Sequence, residues 1–297
     1  MKTAAALPAA DARSHPFEDF AELVKARLTL LVLVTTAVGF YLGAIGPVAP
    51  LALLHAFIGT ALAATGAAAL NQWWERRLDA LMNRTKSRPL PAGRMSPARA
   101  VIVGGLLSIG GVVYLTVACN ALAAWLAALT IVLYVFAYTP LKRISTTNTL
   151  IGAIPGAIPP MIGWAAARGE LGAGAWSLFI IMFVWQMPHF FALSWMYRAD
   201  YARAGFRMVS NDDESGGRSA SQAVLFCMLL LIVSGFPTYV GLTSAIYLGF
   251  ALALGGAFTA MAMKFHQERT ARSARNLFLS SIIYLPILMA VLVLTKL

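Results

Sequence analysis

The sequence predicts an all-α, polytopic membrane protein, a bundle of about nine transmembrane helices around a cavity open to one membrane face. Three observations lead there. Of 297 residues, 59% are hydrophobic and only 12% charged, whereas charged residues make up about a quarter of an ordinary soluble domain. Apolar runs long enough to cross a bilayer core of about 30 Å recur along the chain. Of the 23 Lys and Arg residues, 21 fall in segments that alternate onto a single face.

The elements follow in order. A polar amino-terminal segment, residues 1–25, precedes the first apolar run at 29–45, and the tight turn 46–50 leads into the second at 51–70. A long polar loop, 71–99, separates that run from the third at 100–118. Cys119-Asn120 turns directly into the fourth at 121–138. After the loop 139–148 comes the fifth, 149–167, in which Pro155, Pro159 and Pro160 fall within six residues. Each proline removes a backbone donor and crowds the preceding turn, so no regular helix is expected through that stretch. Gly152 and Gly156 in the same run form a small-residue face suited to close helix packing, with cavity lining as the other use. The remaining runs are 176–197, 222–241, 244–264 and 277–294. No loop is long enough for a separate soluble domain, and residues 1–297 read as one membrane-embedded domain.

Charge fixes the orientation. Residues 1–28, ahead of the first apolar run, carry 4 Lys and Arg, the loop 71–99 carries 7, 139–148 carries 2, and 198–221 and 264–276 carry 4 each. The opposite face holds only Arg168 and Lys296. Positive charge concentrates on the cytoplasmic side of membrane proteins, so the amino terminus is expected in the cytoplasm and the carboxyl terminus in the periplasm. The net charge of +11 is thereby read as topology and not as a nucleic-acid surface. The first 20 residues carry Asp11, Glu18 and Asp19 and no apolar core, unlike a secretory signal or an acid-poor transit peptide. A bacterial inner membrane is the simplest home. Cys119 and Cys227 fall near opposite faces and are not expected to pair.

The stretch from Asn71 to Pro89 carries the most chemistry. In a continued helix Asn71, Glu75, Asp79 and Asn83 recur every fourth residue, each about 6 Å above the last with a drift of roughly 40°. They form one winding polar stripe at the end of a membrane helix. Glu75 and Asp79 repel each other at this spacing unless a cation lies between them. Magnesium prefers oxygen donors and is commonly held by one or two carboxylates plus substrate phosphates, which suits Glu75 and Asp79 with Asn71 and Asn83 as neutral donors. Arg84, Lys86 and Arg88 just beyond can neutralise diphosphate oxygens. Lys142-Arg143 lies on the same face, either as a membrane anchor or as a further contact for such an anion.

Two cytoplasmic loops stand out for acidic content, 71–99 and 198–221, and they follow the second and sixth helices. That four-helix interval suggests an internal repeat. The sixth helix reads Trp185-Gln186-Met187-Pro188-His189-Phe190-Phe191 and leads to Asp200-Tyr201. In an unbroken helix His189 and Asp200 share an azimuth to within about 20° and lie roughly 16 Å apart. Asp200 is then expected at a cavity mouth with His189 deep inside, where an ionisable residue is a functional candidate, although a hydrogen-bonded packing role serves His189 equally well. Trp185, Phe190 and Phe191 read as core or lipid-facing aromatics that can also line an apolar pocket. No Gly-rich nucleotide loop, Ser-His-Asp arrangement or spaced Cys/His set is present, so ATP-driven and hydrolytic chemistry find no support. A cavity that grips an anionic head by metal and cations, with an apolar tail among helices, matches a prenyl diphosphate.

These segments resemble the UbiA-type intramembrane prenyltransferases, and among them the protohaem IX farnesyltransferase (haem O synthase) group. The resemblance rests on Asn71 to Pro91, Tyr138-Thr139 through Lys142-Arg143, Pro159-Pro160 with Gly163-Trp164, Trp185-Gln186 with Pro188-His189-Phe190, and Asp200-Tyr201 with Ala204-Gly205. The wider family pattern Asn-x-x-x-Asp-x-x-x-Asp is matched by Asn71, Glu75 and Asp79, with Glu in the middle place. Where a second acidic motif holds a further carboxylate, this chain has Ala204 after Asp200. The resemblance implies transfer of a farnesyl group from farnesyl diphosphate to a vinyl group of haem b, with water added, using Mg2+. It also implies catalytic roles for Asn71, Glu75, Asp79 and Asp200, with Asp200 a further metal ligand. Arg84, Lys86, Arg88, Lys142 and Arg143 are then expected to bind diphosphate, while Trp185, Gln186, His189 and Tyr201 line the haem and prenyl cavity. Membrane lipid surrounds the protein, and a haem A synthase or a terminal oxidase is the expected recipient of product. A sister enzyme acting on an aromatic quinone precursor is the alternative. Transport by broken helices is a third reading, disfavoured because the charged groups gather at one face.

Overall fold

The computed structural model describes residues 16–297. Residues 1–15, with Lys2, Asp11 and Arg13 of the amino-terminal segment, lie outside the described residues. Among the described residues nine helical segments are long and apolar enough to cross a membrane, matching the nine apolar runs. They are α2 (Ala26–Gly43), α3 (Pro50–Asp79), α4 (Pro97–Ala118), α5 with its extension (Ala121–Leu141), α7 and α8 together (Asn148–Arg168), α9 (Ala173–Met196), α11 and α12 together (Gly217–Tyr239), α13 (Ala245–Glu268) and α14 (Ala271–Leu294). The described chain has no β-strand. Backbone polar groups in lipid must be satisfied within the segment, which helices do.

Local sequence explains where these helices start. Pro50 and Pro97 occupy first-turn positions, where the missing donor costs nothing. The Asn120 side chain accepts from the Ala123 backbone, 2.9 Å, at the start of α5. It also donates to the Ala165 carbonyl, 2.7 Å, so one residue caps a helix and fastens it to α8. Thr270 and Ser273 form a reciprocal capping box on α14.

Glycine sets the closest packing. A Cβ on Gly163 of α8 would strike the Thr36 carbonyl of α2, and one on Gly39 would strike the Pro160 carbonyl in return. These two helices therefore pack backbone to backbone. Gly66 and Gly111 do the same between α3 and α4, against Ser108 and Ala63. The interior falls into two large apolar clusters. One is built from α9, α11, α13 and α14 around Leu178, Ile181, Met187 and Phe258. The other lies among α3, α4, α5 and α8 around Leu115, Leu126 and Met161. Large apolar side chains such as Leu106, Ile109, Ile232 and Ile283 are exposed on the outside, as a lipid-facing surface requires.

The proline-rich fifth segment breaks as its sequence requires. α7 (Asn148–Ala157) stops at Ile158, and α8 (Pro159–Arg168) restarts with proline in its first turn. Gly152 lies against the Tyr138 ring and Gly156 against the Gln186 amide, so this small-residue face packs against side chains. A second irregularity was not foreseen. Residues Leu133–Tyr138 form a π-helical turn before the short helix α6 (Thr139–Leu141). Pro140 cannot donate, and the Thr139 hydroxyl instead bonds the Tyr134 carbonyl at 2.8 Å.

Two expected helices end early. α3 stops at Asp79, so Asn83 leaves the stripe, is exposed, and accepts from the Lys86 ammonium at 3.2 Å. α9 stops at Met196, and Asp200 belongs to a separate helix, α10 (Arg198–Arg203). The shared azimuth expected for His189 and Asp200 is therefore lost at Tyr197, whose φ and ψ of −110° and 21° leave the helical region.

Candidate active site

The end of α3 is built from buried polar groups. Asn71, Gln72, Glu75 and Asp79 are all buried, and burying such groups is costly unless each is partnered. Asn71 donates to the Thr139 hydroxyl at 2.9 Å. Its carbonyl oxygen accepts from the Lys25 ammonium at 2.6 Å and from the Tyr134 hydroxyl at 3.3 Å. Glu75 pairs with Lys142 at 2.7 Å, and Asp79 pairs with Arg88 at 2.7 Å. The Thr85 hydroxyl, donating to the Asp79 carbonyl at 2.9 Å, folds the following turn back over the helix end.

Three segments that connect membrane helices converge here. The Arg84 backbone N–H donates to Asp200 Oδ2 at 3.2 Å, which ties the 80–96 segment to α10. Asp200 Oδ1 accepts from Arg203 at 2.8 Å. The Arg207 backbone N–H donates to the Lys142 carbonyl at 2.7 Å, and Asn148 donates to the Arg207 carbonyl at 2.6 Å, which ties the loop after α10 to the 139–148 turn. Lys142 lies over the Tyr138 ring, 4.4 Å from its centroid. Burial alone would lower the Lys142 pKa, but the Glu75 carboxylate and its hydrogen bond, together with the neighbouring Tyr138 and Tyr134, outweigh it and hold the ammonium above its ordinary range. Among the described residues Lys25 has no such carboxylate partner, and burial together with the Arg88 guanidinium lowers its pKa.

The remaining expected residues divide. Arg84 is exposed with its guanidinium over the Tyr197 ring, 5.3 Å from the centroid. Lys86 and Arg143 are exposed. Tyr201 packs against Phe206, Leu78 and Met82, and Ala204 is buried in the same apolar cluster; the place where another acid was looked for is apolar packing. Gln186 donates to the Ala153 carbonyl at 3.2 Å and the Met182 carbonyl at 2.9 Å, bridging α9 to α7. His189 turns to α14, where its Nδ1 meets the Ser281 hydroxyl at 2.7 Å and its ring lies 4.7 Å from that of Phe278. The Trp185 indole N–H donates to the Ser281 carbonyl at 3.0 Å. His189 and Trp185 thus serve the α9–α14 contact in this structure, apart from the carboxylates.

Sequence reasoning missed Lys25, Tyr134 and Thr139. Lys25 reads as one more cationic anchor, and Tyr134 as an interfacial aromatic. The available signal was their place at the ends of the first and fourth apolar runs that lie on the same face as Asn71.

Two cavities lie away from the stripe. One, of about 610 Å³, is on the opposite face between Trp164, Arg168, Leu242 and Lys296. The other, of about 370 Å³, sits beside α10 between Trp195, Arg198, Glu214 and Arg269. At the stripe each carboxylate is matched to a cation. Among the described residues no three His, Cys, Asp or Glu side chains converge as a metal cluster.

The donor set still suits a hard divalent ion. Glu75 and Asp79 each commit one oxygen to an ion pair, and the other, Glu75 Oε2 or Asp79 Oδ1, has no hydrogen-bond partner among the described residues. With Asn71 Oδ1 that makes an all-oxygen set of the kind magnesium takes alongside phosphate. Both oxygens of Asp200 are engaged, and Asn83 stands outside the set. Chemically, the arrangement can hold a multiply charged anion against a helix end while keeping water from what lies among the helices.

Comparisons with known proteins point the same way. The model of the UbiA prenyltransferase family matches residues 32–285. A protein named protoheme IX farnesyltransferase from Solibacter usitatus is 42% identical over 287 residues, covering 94% of this chain and 98% of that protein. A solved structure described as concerning digeranylgeranylglyceryl phosphate synthase in membranes superposes with a TM-score of 0.79 at 15% identity, covering 94% of this chain and 98% of the other. A UbiA homolog from Archaeoglobus fulgidus, bound to GPP and Mg2+, superposes with a TM-score of 0.68 at 13% identity, covering 92% and 99%. At such identities the two structures show the fold alone.

Proposed function

Because this chain belongs to the UbiA prenyltransferase family, we propose that it transfers a farnesyl group from farnesyl diphosphate to a vinyl group of protohaem IX, with addition of water, to give haem O and diphosphate. It is a multi-pass membrane prenyltransferase. The observation that carries the site assignment is the buried pair Glu75 and Asp79, each matched to a cation at 2.7 Å and each with a second oxygen to offer.

Asn71, Glu75 and Asp79 would hold Mg2+, which when bound neutralises the diphosphate and makes it a better leaving group. Arg88 and Lys142, now on the carboxylates, and Arg84 and Lys86 from the exposed 80–96 segment bind the diphosphate oxygens. The bond from the first farnesyl carbon to oxygen breaks with its electron pair leaving on diphosphate. Cationic charge develops along the allyl group, within the helices and away from bulk water. The vinyl π electrons then form the new carbon–carbon bond. Positive charge moves to the carbon next to the porphyrin ring, a water molecule adds there, and its proton is lost to solvent. The Tyr134 and Tyr138 rings, stacked with centroids 5.7 Å apart, lie beside this machinery and suit the stabilisation of cationic charge. Gln186, His189, Trp185 and Tyr201 are assigned to the acceptor side. The cytoplasmic-side location of the site in a bacterial inner membrane belongs to the same proposal, as does delivery of product to a haem A synthase or a terminal oxidase.

The test is product identity. Purified protein is incubated with farnesyl diphosphate, magnesium and either haem b or a hydroxybenzoate, and products are read by mass. Hydroxyethylfarnesyl haem with diphosphate release, abolished by chelation, is expected. Prenylation of the benzoate alone would replace the acceptor assignment, and absence of diphosphate release with both acceptors would refute prenyl transfer.

A further inference from the structure

Lys25 sits at the joint between α1 (Pro16–Leu23) and α2 with φ 49° and ψ 51°. It is one of two residues other than glycine with positive φ in the described chain. Such a backbone is uncommon for a long side chain and persists where its surroundings hold it. Here they do. Leu23 is fully buried against Ala69, Leu90 and Ala100, Gln72 donates to the carbonyls of Glu22 at 2.6 Å and Leu23 at 3.0 Å, and Arg94 pairs with Asp19 at 2.8 Å. The strained joint turns the Lys25 side chain inward, onto Asn71 at 2.6 Å and Tyr134 at 3.1 Å.

Three cations reach the acidic end of α3, and Lys25 differs from the others. Lys142 and Arg88 each meet a carboxylate. Among the described residues the Lys25 ammonium meets only the neutral oxygens of Asn71 and Tyr134. It is the surplus cation of the inner site, placed on the oxygen that Asn71 would offer to another cation. An ammonium held by neutral acceptors exchanges them readily for an anion, because hydrogen bonds between two charged groups are the stronger kind.

We propose that Lys25 is a diphosphate-binding residue supplied by the first membrane helix, held ready on Asn71 and Tyr134 and transferred to the leaving group when substrate enters. Its departure frees Asn71 Oδ1, so that substrate binding and completion of the acidic site occur together. The inference rests on the prenyl-transfer reading above and names a contact to the same substrate.

The experiment compares Lys25→Met and Lys25→Arg with the parent protein in detergent with magnesium. Equilibrium binding is measured for farnesyl diphosphate and for farnesol, which has the tail without the charge. Lys25→Met is expected to weaken farnesyl diphosphate binding by roughly ten- to a hundredfold, the loss of one charge-assisted contact, with farnesol binding unchanged. Lys25→Arg, which keeps the charge, retains most of the affinity. Unchanged diphosphate binding in Lys25→Met overturns the proposal, as does an equal loss for farnesol and farnesyl diphosphate, which marks a scaffolding role. A parent protein that binds no farnesyl diphosphate would instead refute the reading on which the proposal rests.

Discussion

Replacing Glu75 by Gln separates what the buried ion pair does for stability from what it does for turnover. The carboxylate is 2.7 Å from the Lys142 ammonium, with the two side chains 6% and 15% exposed. Removing one partner of a buried pair commonly costs about 3–5 kcal/mol because the other charge is left unmatched. The residual exposure of Lys142 and its position over the Tyr138 ring put this case near the lower end, about 3 kcal/mol. The double variant Glu75→Gln with Lys142→Met removes both charges, and most of that loss should return, since deleting both partners avoids the orphaned ion. Turnover should not return, because the metal donor and the diphosphate contact are both gone. Thermal unfolding in detergent and haem product formation are measured on the two single variants and the double, as a double-mutant cycle. Product formation at the parental rate in Glu75→Gln, or recovery of rate alongside stability in the double, would refute the assignment of this pair to chemistry.

Three further outcomes follow from the geometry. Asp213 Oδ2 accepts from the Ser219 backbone at 2.7 Å at the start of α11 (Gly217–Val233); burial would raise its pKa, but the hydrogen bonds from Ser219 and its neighbours outweigh this and hold the carboxyl below its ordinary value. A lowered carboxylate pKa gives stability that is present above the unfolded value of about 3.9 and lost as pH falls through the folded one, so melting temperature should drop below about pH 4, and less so in Asp213→Asn. Gly163→Ala forces a methyl onto the Thr36 carbonyl and should cost about 1–3 kcal/mol, seen as a lower melting temperature with farnesyl diphosphate affinity retained in the folded fraction. His189→Ala should impair haem use more than farnesyl diphosphate binding, while Ser281→Ala, which only releases the ring, should leave both near parental; haem affinity unchanged in His189→Ala would return this residue to packing between α9 and α14.

The membrane helices were legible because a bilayer imposes a length and a polarity that composition alone reveals, and the nine runs at 29–45 through 277–294 correspond to nine observed segments. The break in the fifth was legible for a similar reason, since Pro159 states where a helix cannot continue. Asn71, Glu75 and Asp79 share a face because α3 runs unbroken to Asp79. What failed was extrapolation past helix ends. Nothing local in Leu78-Asp79-Ala80 announces a stop, yet the Thr85 bond to the Asp79 carbonyl takes the chain away and leaves Asn83 outside. Tyr197 likewise ends the register that would have aligned His189 with Asp200. Lys25 was missed because a cation before an apolar run has an ordinary explanation, and only the positive φ and its partner at 2.6 Å show that it faces inward.

The position of the site at helix ends follows from what it must do. A diphosphate and its cations cannot be carried into hydrocarbon, whereas an allylic cation cannot survive in water, so the reaction needs both solvents within a few ångströms. In this chain the carboxylates end α3, Lys142 ends the extension of α5, Asp200 begins α10 and Lys25 begins α2. Each charged group is thereby supplied by backbone that has just left the membrane segment, while Tyr134 and Tyr138 remain within it. The internal ion pairs keep the charges partnered while the site is closed. A diphosphate can take Arg88, Lys142 and Lys25 from their present acceptors, because hydrogen bonds between two charged groups are the stronger kind. A prenyl alcohol makes no such exchange and binds through its tail alone, which makes charge, before chain length, the first discriminator among prenyl substrates.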